Sequence, residues 1–516
     1  MPLPEGKNLP WPPIDATVRD AMADWDAWYS ADPDRLAERY RNRGDKSVQN
    51  RPSQYRGGIT GRFARWWWGQ PTPIGEKRVK LHVPLAGDIA RTSSNLLFSE
   101  PPSITVAHGA TQDRIVEMIE GGLHTKLIEL GEVCAALGGA YLRVVWDLEM
   151  SDRPWIDVVH ADGAAPEWRY GRLWAVTFWR VLAVDGQQVT RHLERHERGY
   201  ILHGLYEGTE GILGKPLPLD ARAETKGLKP VVETGALKHL TAAYLPNIRP
   251  ARAWRNIPGA ANLGRSDYQG IEGILDALDE TYSSWMRDVR LGAGRVIVPE
   301  SMLAGNGPGQ GASFDDREIY SGLNVLQRAD SSSQLTLVQF KIRIEEHRGT
   351  CLELTQQAVR QAGYSAGTFG SDSEGAAVTA TEIRARNARS MSTRAHKALY
   401  GKIAIAEIIE AQLAVEAGLL FKGDVEVECP DVEFQDSISE DPKTLAETAE
   451  LLRRAQAAST ETIVRLINPD WDDDRIDDEV ARIQAETGMS TQDPTTFGAD
   501  EPPDDPADEE PDLIEG

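Results

Sequence analysis

The side chains with chemical potential are few and scattered. His192 and His196 stand four residues apart, with His203 nearby. On a helix that spacing lets two imidazoles share a metal. Here the surrounding QQVTRHLERHERGYILH alternates and turns as a hairpin does. His192, Glu194 and His196 are therefore expected on one solvated strand face rather than around a metal. The stretch from Gly305 to Gly311 has alternating glycines, but no Lys-Ser/Thr follows it. It reads as a flexible loop, not a phosphate cradle. Neither G-x-x-x-x-G-K-[ST] nor H-E-x-x-H occurs. The acids Asp472, Asp473 and Asp474 follow a Pro-Asp-Trp turn and lead into a helix, whose N-terminus favours negative charge. Cys134, Cys351 and Cys429 lie far apart without zinc spacing, as expected of reduced thiols in a cytosolic protein. No catalytic residue, metal site or cofactor is expected, and no enzymatic activity.

Charge narrows the field further. The chain has 516 residues and a formal net charge of -24. Broad phosphate neutralisation needs clustered Lys and Arg, so this is not a protein expected to grip nucleic acid over its whole surface. It can surround DNA without holding it. Two places run against the average. Trp66, Trp67 and Trp68 follow Arg62 and Arg65; three consecutive rings cannot face one ligand, so core or subunit packing is expected over base stacking. The arginines from Arg384 to Arg394 suit either phosphates or the acidic face of a neighbouring subunit, and the second is favoured.

The elements that would position these residues follow from periodicity. Asp32-Pro33-Asp34 is an N-cap, a first-turn proline and a first-turn acid. Leu85, Ile89, Leu96 and Leu97 fit a buried helical face stopped before Pro101-Pro102. Another helical pattern runs from about Asp113 to Leu137 with a weak point at Gly121-Gly122. From Tyr141 to about Tyr244 the pattern becomes antiparallel β: YLRVVW, WIDVVH, WAVTFWRVLAV, QQVTRHLERHE, YILHGLYEG and HLTAAYL. Pro246 to Gly264 is an irregular connector.

Tyr268 to Arg290 is amphipathic, with Glu272, Asp276 and Glu280 as an acidic stripe. A small β segment follows (RVIVP, the loop GNGPGQG, QLTLVQF). A second helix from about Lys341 to Ala362 has Ile344, Cys351, Leu354, Ala358 and Ala362 on one face and Gly363 at C′. After a Gly/Ser/Ala-rich loop, Thr379 and Glu382 form a possible capping box for a helix extending to about Leu419. A strand-like VEVECPDVEF, then helices over about Pro442 to Ile467 and Asp474 to Glu486, precede an acidic, proline-rich tail expected to be disordered. No uninterrupted apolar run reaches the ~18 residues of a membrane span, and no signal peptide is evident.

This order of elements resembles the portal proteins of long-tailed bacteriophages. HVPLAGDIARTSSNLLFSEPPSITV looks like the N-terminal part of actinobacteriophage-type portals, and ERHERGYILHGLYEG like their wing. SDYQGIEGILDALDETYSSWMRDV and EEHRGTCLELTQQAVRQAG look like outgoing and returning stem helices. SDSEGAAVTATEIRARNARSMSTR resembles the tunnel loop and the long helix behind it.

The resemblance implies an α+β fold with wing, stem, clip and crown. Its parts are an N-terminal helical region 1–140, a wing 141–264, stem helices 265–290 and 341–363, and a clip 291–340. There follow a tunnel loop 364–378, a long helix 379–422, a wing strand 423–439, crown-like helices 440–489 and an acidic tail 490–516. It implies channel-lining candidates Glu272, Asp276 and Glu280, and tunnel-loop candidates Ser371, Asp372, Ser373, Glu374 and Gly375. The clip-loop candidates are Gly305, Asn306, Gly307, Gly309 and Gly311.

The function implied is a ring of copies, a dodecamer, at one capsid vertex of the virion. Assembled in the host cytoplasm, it would carry double-stranded DNA without sequence specificity. Terminase, the major capsid or scaffold protein and the head-tail connector would be its partners, with no membrane involved. The alternatives are a packaging enzyme of the terminase ATPase or nuclease type, which the missing P-loop opposes, and a non-portal head or connector protein.

Overall fold

A computed structural model describes residues 3–6, 8–42, 81–291, 295–297, 304–305, 312–313, 336–338, 342–370, 380–419, 421, 424–434, 442–468, 471 and 473–486. The chain is α+β, with antiparallel sheets throughout. Its contacts divide it into Met1–Gln435 and Asp436–Gly516.

The first unit opens with helices α1 (Ala16–Tyr29) and α2 (Pro33–Asn42). Asp32 starts α2 as its sequence predicts, accepting from the Asp34 backbone N–H at 2.9 Å. Next come α3 (Leu85–Phe98) and, after strand β1 (Ser103–Thr105), α4 (Gly109–Met118) and α5 (His124–Leu137). The weak point at Gly121-Gly122 is a π-helical turn over Ile119–Leu123 between α4 and α5. Gly122 takes φ 106°, a conformation open to glycine and costly for a side chain. Leu85, Ile89 and Leu97 are buried under α5, and Leu96 is half-buried.

The β region forms two sheets. One has three strands in the order β10-β2-β3: β2 (Gly139–Val145), β3 (Trp155–His160) and β10 (Ala242–Pro246). The other runs β4-β5-β6-β7-β8, with β9 beside β7. Its strands are β4 (Ala164–Arg169), β5 (Arg172–Asp185), β6 (Gln188–Glu197), β7 (Tyr200–Thr209), β8 (Ile212–Leu217) and β9 (Val231–Glu233). The N-terminal residues lie along the far face of this sheet. Trp11 packs with Leu193, Tyr206 and Leu213 as a small core of its own, and Trp11 N–H donates to Gly211 O at 3.0 Å.

Helix α6 (Glu272–Leu291) and helix α7 (Ile344–Ala362) come next, separated by two small antiparallel pairs. These are β11 (Arg295–Ile297) with β14 (Thr336–Val338), and β12 (Ala304–Gly305) with β13 (Ala312–Ser313). Of the expected face of α7, Cys351, Ala358 and Ala362 are buried and Leu354 is half-buried. Ile344 is a correction: it is 49% exposed, because the first turn meets the preceding helix through Arg343 and His347, which bond Asp288, and Ile344 is not on that side. Gly363 ends α7 with φ 105°.

Helix α8 (Ala380–Gly418) is 39 residues long, about 58 Å at 1.5 Å per residue. The strand expected over VEVECPDVEF is short: only Asp431–Glu433, β15, pairs, and its partner is β1. The second unit holds α9 (Pro442–Arg454), α10 (Thr460–Ile467) and α11 (Asp473–Glu486). Ser459 caps α10 by accepting from Thr462 N–H at 3.1 Å.

Candidate functional site

Helices α6 and α7 lie antiparallel, as their side-chain pairs require. Asp288 accepts from Arg343 Nη2 at 2.9 Å and bonds His347 Nε2 at 3.0 Å. Trp285 stacks on His347 with centroids 6.1 Å apart. Further back, Tyr282 lies near Cys351. Residue numbers thus rise on one helix as they fall on the other. The His347 and Arg343 hydrogen bonds hold the Asp288 carboxyl below its ordinary range. The chain leaves along α6, makes the β11–β14 pair, and returns along α7.

The base of α6 is stitched to the N-terminal region. Trp25 Nε1 donates to Glu272 Oε1 at 3.0 Å, and Gly270 N–H donates to Glu272 Oε2 at 2.8 Å. Asp279 accepts from Val83 N–H at 2.9 Å and bonds His82 Nδ1 at 2.8 Å. Ser283 accepts from Leu81 N–H at 2.9 Å. Of the acidic stripe, Glu272 and Asp276 are half-buried and Glu280 is exposed. Glu272 therefore also caps its own helix and ties down Trp25. Asp279 was missed by sequence reasoning. The signal was present: it falls four residues after Leu275 and eight after Ile271, on the buried face.

Helix α8 is fixed at two points. Lys397 Nζ donates to Asp267 Oδ2 at 2.7 Å, Ser93 Oγ at 2.7 Å and Tyr364 OH at 2.8 Å. Asn247 Nδ2 adds a bond to Asp267 Oδ1 at 2.8 Å, and Tyr364 OH one to Oδ2 at 2.7 Å. Burial, with Asp267 beside it, drives the Tyr364 phenol far above its usual value. Arg394, three residues earlier, donates to Leu96 O at 2.7 Å and is buried. This corrects the expectation for Arg394: it serves its own chain, because the helix face it shares with Lys397 and Ser390 is the inward one. The second point is Arg114, which grips Glu416 through Nε at 3.0 Å and Nη2 at 2.9 Å and reaches Pro154 O at 3.2 Å.

The histidines on β6 bring a second correction. Their face is buried, not solvated: His192 and His196 are 3% and 0% exposed. The three-stranded sheet lies over them. Glu194 accepts from Arg143 Nη1 of β2 at 2.9 Å and from His196 Nε2 at 2.7 Å; His196 Nδ1 meets Thr241 Oγ1 at 2.7 Å. Arg143 continues to Asp157 on β3 at 2.9 Å. His192 Nε2 and His203 Nδ1 are 3.2 Å apart in stacked rings. Among the described residues no group of His, Cys, Asp and Glu is arranged to hold a metal ion.

This network gives a signed pH dependence. Burial and the neighbouring His203 hold His192 down, to about 4. The unfolded chain titrates near 6.5. Above that pH neither state is protonated, and His192 costs nothing. Between 6.5 and about 4 the unfolded chain binds a proton that the folded chain refuses, so stability falls with pH. The loss reaches about 3 kcal/mol below pH 4. Glu194 acts in the same direction. Despite its burial, the His196 and Arg143 contacts leave its carboxyl depressed, so its support fades as pH drops through that low value. We expect His192→Gln to flatten the fall in melting temperature between pH 6.5 and 4. Parallel curves for the two proteins would exclude this role.

The remaining candidates divide. Gly305 lies on β12, opposite Ala312. Asn306, Gly307, Gly309, Gly311, Ser371, Asp372, Ser373, Glu374 and Gly375 lie outside the described residues, as do Trp66 to Trp68, Thr379 and the side chains of Glu382, Arg384 and Arg386. Burial pushes the Cys134 thiol up to about 12, so it is not a nucleophile at neutral pH. No helix among the described residues is long and apolar enough to cross a membrane.

Residues 256–493 match the family described as phage portal protein, SPP1 Gp6-like. That span covers α6, the small β pairs, α7, α8 and the helices of the second unit. No curated protein matches the chain. Among solved structures, the neck of a native GTA particle computed with C12 symmetry is similar at 13% identity and a TM-score of 0.39. The match covers 80% of this chain and 99% of that one.

Proposed function

We propose that this chain, a phage portal protein by the family of its residues 256–493, forms the closed ring through which genomic DNA enters and leaves a capsid. The family is a structural one, and the role is that of a portal or connector in the virion. What supports the finer reading most is the antiparallel pair α6–α7, closed at one end by Asp288 and carrying the β11–β14 pair beyond it. Such a strut can build a channel wall when copies repeat around an axis, and a heterologous contact whose rotation closes gives a ring. We assign α6 and α7 to the stem, the β pairs to the clip, the β sheets to the wing and α9–α11 to the crown. Terminase and later the head-tail connector would dock at the clip. The capsid shell or scaffold would meet the wing.

Negative-stain electron microscopy with mass measurement tests the ring. Closed rings of about twelve copies with an open centre are expected from a heterologous, closing contact. A monomer or small dimer stable across concentration would refute it.

An acidic wall repels a passing duplex, with a field screened over about 8 Å at physiological salt. Asp276 and Glu280 are the stripe residues to test, because substituting them leaves the Trp25–Glu272 hydrogen bond in place. Asp276→Lys with Glu280→Lys is expected to slow packaging or retain DNA, read as the fraction of DNA-filled heads. Unchanged filling would remove the stripe from the mechanism. The same assay reads deletion of residues 371–375, the proposed tunnel loop. Rings should persist while filling fails, and normal filling would make that segment an ordinary connector.

A further inference from the structure

Several buried or half-buried arginines of this acidic chain are matched to carboxylates: Arg114 to Glu416, Arg143 to Asp157 and Glu194, Arg195 to Glu167 and Glu197. One region concentrates arginines in segments that carry no acid. Residues 246–265 carry four arginines and no acid, and residues 168–174 carry two more and no acid. The fold joins the two segments. Arg249 lies over the rings of Trp168, at 5.3 Å, and Tyr244, at 5.7 Å. Asn262 Oδ1 is 3.8 Å from where a Cβ on Gly171 would sit. Arg169, Arg172, Arg252 and Arg255 are exposed, and among the described residues none of them forms an ion pair. Arg172 faces Glu407 of α8 without pairing to it.

Two further features mark this region. Arg249 Nε and Trp168 Nε1 are buried donors with no acceptor among the described residues. Beside them, the β4–β5 turn carries Tyr170 at φ 49° and 107% relative exposure, followed by Gly171 at φ 80°. A turn with two positive φ values favours Asn-Gly. A bulky aromatic held there against local preference, fully in solvent, suits contact better than folding. Arg169 is stacked on Trp174 at 3.7 Å, which keeps its guanidinium edge available.

We propose that this arginine and aromatic surface, formed by residues 168–174 and 246–265, is one half of the contact between neighbouring copies of the chain, and that its occupant is a carboxylate-rich face of the next copy. The reading rests on the ring proposed above. Each copy brings 80 carboxylates against 56 Lys and Arg, so copies repel unless cations are brought against acids where they meet. A DNA backbone has the same oxygen chemistry, but the net charge of the chain opposes its approach.

The test compares wild type with the variant Arg169→Glu, Arg252→Glu, Arg255→Glu, all exposed positions, by sedimentation velocity and native mass. Folding is monitored by circular dichroism. A folded variant whose assembled fraction falls by about tenfold or more at equal concentration is expected, the scale of losing several charge contacts of an interface. The Arg→Gln variant at the same sites shows the same loss in smaller measure, and serves if the glutamates disturb folding. Rings from wild type and variant alike would overturn the proposal; if those variant rings had lost only DNA retention, the surface would belong to nucleic acid. A wild type that forms no ring would instead remove the ring reading itself.

Discussion

Lys397→Ala is expected to destabilise the first unit by about 3–5 kcal/mol, the cost of leaving one member of a buried ion pair alone. Lys397 and Asp267 are 3% and 1% exposed at the side chain, so water cannot replace the lost ammonium. Four segments lose a shared anchor at once: α3 through Ser93, the connector through Asn247, the turn before α6 through Asp267, and the end of α7 through Tyr364. The urea midpoint reads the change. Lys397→Met with Asp267→Leu should recover part of the loss, since an apolar pair needs no compensation; Asn247 and Tyr364 would still lack their acceptor. A midpoint for Lys397→Ala within error of wild type would show that the pair is not holding α8.

Arg114→Ala is the second large effect, again about 3–5 kcal/mol. Glu416 is 1% exposed, and Gln412 Nε2 at 3.0 Å is the other donor to its Oε1. Glu416 lies nineteen residues beyond Lys397 along α8, about 28 Å at 1.5 Å per residue. The two sites clamp the helix independently, so their effects should add within about 0.5 kcal/mol. Strong non-additivity in the double variant would mean instead that α8 unfolds as one unit from either end. In the portal reading this clamping matters because α8 follows the proposed tunnel loop. A helix held at two buried points would pass force from that proposed loop into the body of the subunit.

The acidic stripe shows how far periodicity carries. Glu272, Asp276 and Glu280 are four residues apart and share a side of α6, as their spacing demands. Spacing says nothing of what stands opposite, and Trp25 stands opposite Glu272. Asp279 was hidden for a related reason: an acid within an acid-rich helix reads as solvated until its backbone partner, Val83 N–H, is known. The histidine strand failed in the same way. Alternation placed His192, Glu194 and His196 on one face, but which face was covered depended on β2 and β3 crossing over it.

What the residues determined by themselves was local. The caps at Asp32 and Gly363, the glycine break at Gly122, the antiparallel strands from Gly139 onward and the length of α8 follow from backbone preferences and from 3.6- and 2-residue periods. The family pattern in their order was legible too. Tertiary structure alone decided which charges are spent and which are free. Lys397, Arg394 and Arg114 were drawn inward, where carboxylates and carbonyls hundreds of residues away meet them. Arg169, Arg172, Arg252 and Arg255 were left exposed without an ion pair among the described residues. Charge interactions depend on distance in space and on burial, and neither is encoded in the spacing of residues along a chain.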